Sequence, residues 1–390
     1  MKGCIVQRSK GSWGLVVELG RDPETGKRRQ QWVTVRGTKK EAERRLRELL
    51  HQLDTGGFVK PNRLTVGQYL AQWCESYAAM HTTPRTAESY QFIVQHHLVP
   101  ALGALSLTQL HPQHLQVYYA RALSHGRVDG KGGLSPRSVL YHHRILSEAL
   151  GHAVKMGLLA RNVAEAVDPP HPSRKDMATL APEDIPCLLR AAQETPYHNL
   201  FFTALHTGLR LGELLALRWS DVNLVLASLS VVRTLYRRST GYVIKEPKSP
   251  HSRRSVALSP SLALLLRQHK AEQAAQRVLL GSTLADSDSV FAHTDDAPLD
   301  PSTVSHAFAR ILRKAGLPHI RFHDLRHTHA TLMLKGNVHP KVVSERLGHS
   351  SVAFTLDTYS HVLPGLQEVA ARRFDEVLEQ AAGSQTTSRC

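Results

Sequence analysis

Leu347-Gly-His349-Ser-Ser-Val-Ala-Phe-Thr-Leu-Asp-Thr-Tyr359-Ser-His361 sets a histidine directly after a helix-ending glycine and a tyrosine on the helix that follows. Upstream lie His323-Asp-Leu-Arg326 and Thr207-Gly-Leu-Arg210. A tyrosine hydroxyl is a poor nucleophile at neutral pH, with a reference pKa of about 10. It becomes an effective one where cations and hydrogen-bond donors stabilise the charge that develops as it attacks a phosphate. Tyr359, preceded by two arginines and two histidines in short motifs, is therefore a candidate for attack on a phosphodiester.

Each neighbouring motif adds a definite chemistry. In Thr207-Gly-Leu-Arg-Leu-Gly-Glu213, Gly208 suits a helix C-terminus, so Arg210 falls at a turn that can aim its side chain into a cleft. A guanidinium matches two phosphate oxygens and stays protonated, and Glu213 is placed to hold it. Pro247-Lys-Ser-Pro-His-Ser-Arg-Arg-Ser-Val-Ala-Leu258 reads as a hairpin turn between two strands. Lys248 at that turn can reach a leaving oxygen as general acid, with Lys245 as the competing lysine. His323 and Arg326, three apart at the start of a helix, share a face, and Asp324 suits the helix N-terminus. His323, His327 and His329 also raise a zinc reading. No Glu follows the first His as in HExxH and no thiolate is near, so no metal is expected.

Composition points the same way. The 390 residues carry 49 Lys plus Arg against 33 Asp plus Glu, a net charge of +16. With 42% hydrophobic residues the chain can build real cores, and a clustered basic surplus favours a polyanionic partner. Cys4, Cys74, Cys187 and Cys390 are far apart with no CxxC, which argues against a disulfide scaffold or zinc ribbon and fits a reducing cytosol. No signal peptide and no apolar run long enough for a membrane span are read, so the expected location is cytoplasmic and bacterial, at the nucleoid.

Along the chain, residues 1–57 read as a small β-plus-helix unit. Ser12–Leu19 and Arg29–Arg36 are strands joined by turn chemistry at Asp22–Gly26, and Thr38-Lys-Lys-Glu41 is a capping box that opens a helix. Lys27, Arg28, Arg29, Lys39 and Lys40 give this unit a basic surface. Residues 64–168 read as all helical: one helix from Thr65, a second over Thr86–His97, a turn at Leu98–Gly103, a third over Thr108–Leu123 and a fourth over Ser138–Met156. A proline-stiffened linker with Arg174 and Lys175 follows. From residue 176 to 382 the pattern is mixed, with helices near 182–194, 197–207 and from Leu211. Strands are expected near 229–235, 241–246 and 253–258, then helices near 260–279, 301–315, 324–335, 340–347 and 352–360. A last helix spans about Leu366–Ala382, and residues 383–390 read as a polar, disordered tail. No βαβ alternation appears, which excludes a doubly wound sheet. The fold class is multidomain α+β: a small N-terminal three-stranded β-sheet plus helix, an all-α bundle, and a mostly α domain with a small antiparallel sheet.

In order and spacing, Arg210, Lys248, His323, Arg326, His349 and Tyr359 resemble the catalytic set of the tyrosine recombinase (phage integrase) family. The N-terminal unit resembles the arm-type DNA-binding domain of integrases from phages and conjugative elements, and the helical block resembles their SAM-like core-binding domain. The resemblance implies metal-free, cofactor-free strand exchange on duplex DNA at core and arm attachment sites. Tyr359 would form a 3′-phosphotyrosine. Arg210, His323, Arg326 and His349 would stabilise the phosphorane, and Lys248 would protonate the leaving 5′ oxygen. It also implies a homotetramer on DNA and accessory DNA-bending or directionality proteins. The same nucleophile serves a type IB topoisomerase-like activity, and composition alone also suits a non-catalytic DNA-binding regulator.

Overall fold

The computed structural model describes residues 3–21, 26, 28–54, 63–173, 177–238, 241–246, 253–359, 371–376 and 378–379. By internal contacts the chain divides into two units, residues 1–174 and 175–390.

The first unit opens with an antiparallel sheet in the order β1 (Gly3–Ser9), β2 (Ser12–Arg21), β3 (Arg28–Arg36). Leu15 of β2 lies opposite Ile5 of β1 and Val33 of β3. Period-two alternation along β2 sends Leu15 and Val17 to one face, where they pack with Ala42 and Leu49 of α1 (Lys39–Asp54). The capping box forms: Thr38 N–H donates to Glu41 Oε2 at 2.8 Å and Glu41 N–H to Thr38 Oγ1 at 3.4 Å. Only β2 and β3 were marked by residue in the sequence, because almost every residue of β1 is exposed and no alternation betrays it.

The helical part of this unit differs from the sequence reading in two places. Helix α2 (Val66–Trp73), capped by Thr65, passes through a π-helical turn at Cys74–Ala78 into α3 (Ala79–His81). Helix α4 (Pro84–Ile93) likewise passes through a π turn at Val94–Leu98 into α5 (Val99–Leu102), so the expected turn at Leu98–Gly103 is helical. A proline inside a regular helix clashes with the carbonyl four residues back. The wider π turn immediately before α5 takes up that misfit at Pro100. The expected third helix breaks at Leu110–His111: Leu107–Gln109 is a 3-10 turn, and α6 (Pro112–His125) starts on a proline. Helix α7 (Pro136–Lys155) completes the block, whose core includes Leu70, Trp73, Leu98, Leu115, Ile145 and Leu146.

The second unit carries α8 (Asp184–Ala192), α9 (His198–Thr207), α10 (Leu211–Leu214), β4 (Val222–Asn223), β5 (Ser228–Val231), β6 (Thr234–Arg238), β7 (Gly241–Lys245) and β8 (Arg254–Ala257). It continues with α11 (Pro260–Leu279), α12 (Pro301–Lys314), α13 (Asp324–Lys335), α14 (Pro340–Leu347) and α15 (Val352–Tyr359). Among the described residues, six helices (α4, α6, α7, α11, α12 and α14) have proline as first residue, where its missing N–H costs nothing. The core joins Leu200, Phe201, Leu214, Trp219, Phe308 and Leu325.

The strands sort differently from expectation. The single strand near 229–235 is two, because the chain leaves β5 at Val232–Arg233, where Arg233 Nη2 is held by both Asp221 carboxylate oxygens at 2.7 and 2.9 Å. Among the described residues, β5 pairs with β4 and β8, and β6 with β7. The strands that flank the expected hairpin, β7 and β8, therefore lie in different sheets, and residues 247–252 between them lie outside the described residues. Of the expected last helix, residues 371–376 and 378–379 are helical, and the tail from Gly383 lies outside the described residues. No helix among the described residues is long and apolar enough to cross a membrane.

Candidate active site

Helix α9 ends at Gly208, whose φ of 66° is the left-handed conformation that favours glycine. A Cβ there would come within 2.6 Å of Leu347 and 2.7 Å of His329, so the turn also requires the empty space. Two residues on, Arg210 is the extended N-cap of α10. Its Nη1 donates to Glu213 Oε1 at 2.8 Å and its backbone N–H to Glu213 Oε2 at 2.9 Å. The same carboxylate receives Arg254 of β8, Nη1 to Oε1 at 3.2 Å and Nη2 to Oε2 at 2.9 Å. Glu213 is 3% exposed. Burial alone would raise its pKa, but the Arg254 bonds and charge, with Arg210, outweigh that and hold it below the ordinary value. Glu213 thus stays a carboxylate that fixes Arg210 while leaving the guanidinium partly open.

Arg326 on α13 is buried. Its Nη1 donates to Gly208 O at 2.8 Å and its Nη2 to Leu347 O at 2.6 Å. Both carbonyls belong to helix C-terminal ends, at α9 and α14, where carbonyls lack intrahelical partners and a cation suits the dipole. Arg326 therefore ties the turn that carries Arg210 to the turn that carries His349. Burial, then Arg210, pushes its pKa down to about 9, which leaves it charged at neutral pH.

Helix α14 closes on Gly348, φ 67°, and the chain turns into His349. His349 Nδ1 bonds Thr355 Oγ1 at 2.8 Å across the start of α15. Tyr359 at the end of that helix is 1% exposed and packs with Ala330, Leu334, Val343 and Leu347. Its hydroxyl makes a 2.7 Å hydrogen bond with His327 Nδ1. The His349 ring lies nearly parallel to the Tyr359 ring at 6.4 Å between centroids, and the His323 and His327 rings meet edge-on at 5.2 Å. His329, on the opposite side of α13, bonds Leu205 O through Nδ1 at 2.7 Å and receives Arg346 Nε on Nε2 at 3.1 Å. Two of the three histidines of the zinc reading thus have protein partners, and no group of three or more metal-capable side chains converges among the described residues.

Burial dominates the ionisation of this cluster. It pushes Tyr359 up to about 12, with Arg326 opposing. Burial, followed by Arg326 and Arg210, brings His349 down to about 3 and lowers His323. His327 falls to about 4, first through burial and then through His323. His329 falls to about 3, through burial and then Arg346. All four imidazoles are neutral in the folded chain at pH 7. A histidine whose folded pKa is depressed leaves stability flat above the unfolded value of about 6.5 and costs stability below it, where only the unfolded chain takes up the proton. Thermal unfolding of the full chain should show the transition of the second unit falling steadily from pH 6.5 to 4.5 and level from 7 to 8. An unchanged midpoint down to pH 4.5 would contradict the depressed histidine pKa values.

Of the sequence candidates, the structure gathers Arg210, Glu213, His323, Arg326, His349 and Tyr359 around the α9, α13 and α14 ends. Lys248 lies outside the described residues, and Lys245 is exposed at the end of β7. Lys27, Arg174 and Lys175 also lie outside them. Arg28 and Arg29 open β3, and Lys39 and Lys40 are exposed on α1. Sequence reading missed the contact of His327 with the tyrosine and the part of Arg254. His327 carried a signal, being four residues from His323 on one helix face. Arg254 carried none, since only the β5–β8 pairing brings it to Glu213.

Residues 178–365 match the model of the phage integrase family, and residues 65–123 match that of the phage integrase N-terminal SAM-like domain. A tyrosine recombinase XerC-like protein of Caldanaerobacter subterraneus subsp. tengcongensis is 29% identical, over 93% of this chain and 95% of its own length. The ICEBs1 integrase of Bacillus subtilis is 27% identical over 96% of this chain and all of its own. In fold, the chain matches the Tn1549 transposon integrase in complex with transposon right end DNA, at TM-score 0.66 and 19% identity over 79% of this chain and 99% of that one. It also matches a lambda integrase dimer bound to a COC′ core site, at TM-score 0.56 and 21% identity over 91% of this chain and 93% of that one. Two family models meeting on one chain, and relatives that align from end to end, make this a tyrosine recombinase of the phage integrase family.

Proposed function

We propose that this recombinase cuts and rejoins duplex DNA to integrate and excise a phage or other mobile element, with Tyr359 as nucleophile. The observation that carries the reading is the Tyr359 hydroxyl held beside a neutral imidazole, on a helix that follows the turn tied down by Arg326. Tyr359 Oη bonds to phosphorus, the bond to the 5′ oxygen breaks, and a 3′-phosphotyrosine and a free 5′-hydroxyl result. The phosphotyrosine keeps the energy of the broken bond, so a 5′-hydroxyl of the partner strand rejoins the backbone without metal or nucleotide cofactor. Arg210 and Arg326 offset charge on the phosphoryl oxygens. In the tautomer whose Nδ1 accepts from the Thr355 hydroxyl, His349 offers its Nε2–H to the phosphorane, and His323 acts beside it. Glu213 aims Arg210. Lys248 protonates the leaving oxygen.

In the same reading residues 1–57 hold an arm site, with Lys27, Arg28, Arg29, Lys39 and Lys40 toward phosphates. Residues 64–168 and 176–382 each bind the core site, with Arg174 and Lys175 of the linker toward phosphates. Four copies carry out the exchange at the bacterial nucleoid, with accessory bending or directionality proteins. Supercoiled DNA carrying two attachment sites tests the whole: recombinant circles should appear in EDTA without ATP. Relaxation with no recombinant would favour the type IB topoisomerase-like reading, and binding without any strand cleavage would favour a regulator.

A further inference from the structure

We propose that His327, rather than His323 of the His-x-x-Arg motif, is the general base for Tyr359, taking the phenolic proton on Nδ1 as Oη closes on phosphorus. The proposal rests on the reading of Tyr359 as nucleophile. Its ground is geometric. The hydrogen bond that the structure shows for the Tyr359 hydroxyl runs to His327 Nδ1, at 2.7 Å. His323 meets the His327 ring edge-on, one helical turn earlier. His349 faces the tyrosine with its ring, and its Nδ1 is engaged by Thr355. Of the three histidines, His327 is the one that the structure shows hydrogen-bonded to the reacting oxygen.

Its surroundings fit the role. His327 is flanked on its own helix by His323, Asp324 and Arg326, and from outside it by Arg321, Tyr359 and His349. In this predominantly cationic setting, and half-buried, the ring is neutral at pH 7 and has a lone pair to offer. When Nδ1 accepts from the phenol, the proton of the neutral ring sits on Nε2. An anionic phosphodiester arriving at Arg210 and Arg326 adds the opposite charge, which raises the basicity of the imidazole. Meanwhile the phenol grows more acidic as its oxygen bonds to phosphorus.

The step balances. The Oη–P bond forms, the P–O5′ bond breaks, and the Oη proton moves to His327 Nδ1. The leaving 5′ oxygen receives its proton from a different group. On religation the 5′ oxygen attacks, Oη leaves, and His327 returns its proton.

The test uses the full-length protein and nicked suicide duplexes built on the attachment sequence recovered from DNA flanking the gene. One duplex carries the ordinary 5′ oxygen at the scissile phosphate, the other a 5′-bridging sulfur that leaves without a proton. His327→Asn keeps a hydrogen-bonding atom near Nδ1 but not its basicity, and His327→Ala leaves space for free imidazole. Both variants should bind DNA within about twofold of wild type and form the covalent adduct roughly 100- to 1000-fold more slowly. The loss should be equal on oxygen and sulfur duplexes, and added imidazole should restore His327→Ala in proportion to its free-base concentration. A loss under threefold in both variants, or one relieved by the bridging sulfur, would overturn the proposal, the latter because it would place His327 on the leaving group. Adduct formation by Tyr359→Phe would instead sink the nucleophile assignment itself, a separate outcome read in the same gel.

Discussion

Tyr359→Phe should bind attachment-site DNA like wild type and trap no covalent adduct on a nicked suicide duplex. The substitution removes one oxygen from a side chain that is 1% exposed, and the ring keeps its packing against Ala330, Leu334, Val343 and Leu347. The stability cost is that of one hydrogen bond, about 1 kcal/mol. In the proposed reading the chemical cost is total, because phenylalanine has no oxygen to bond to phosphorus. The measurement is denaturing electrophoresis of end-labelled duplex after hours of incubation, beside a binding titration of the same preparation. An adduct at even a hundredth of the wild-type rate would mean that another residue is the nucleophile.

Arg326→Lys should show nearly as large an effect, and on two axes. The guanidinium fills two roles that one ammonium cannot fill together: it spans Gly208 O and Leu347 O, and it brings its charge to the site. Lysine has a single nitrogen and a different reach. At least one helix-end carbonyl loses its partner, a cost of about 1–3 kcal/mol for a buried acceptor. In catalysis, losing one preorganised donor costs roughly 100- to 1000-fold in the cleavage step. The turns at Gly208 and Gly348 should also loosen, which moves Arg210 and His349. Denaturant unfolding gives the first effect and single-turnover cleavage the second. A variant that cleaves within tenfold of wild type would remove Arg326 from the catalytic set, whatever its stability.

Much of the site was legible because its motifs are local. Gly208 and Gly348 both adopt the left-handed conformation that a glycine after a helical run suggests. Arg210 and Glu213 are three apart and close their contact within one turn. Helices α11, α13 and α14 begin and end where the pattern placed them, because a proline or a cap marks one end and apolar periodicity the rest. Where the reading slipped, a non-local or compensating interaction was at work. Pro100 suggested a turn, and the π-helical turn before it let the helix run on. The segment around Lys248 suggested a hairpin, because adjacent strands usually pair. Here β8 instead runs beside β5, and β7 beside β6.

The amino-acid sequence alone determined the family, the nucleophile candidate and the residues gathered round it, because each is written in side-chain identity and short-range spacing. Tertiary structure alone decided which of those residues touch. It set Arg254 against Glu213 across a strand pairing, and Arg326 against two helix ends that are far apart in the chain. It also gave the Tyr359 hydroxyl to His327 rather than to His323. The physical reason is directional: a hydrogen bond depends on ångström distances and on the rotation of a helix about its axis. Those are fixed only when α13 packs between the ends of α9 and α14, and no count along the chain contains them.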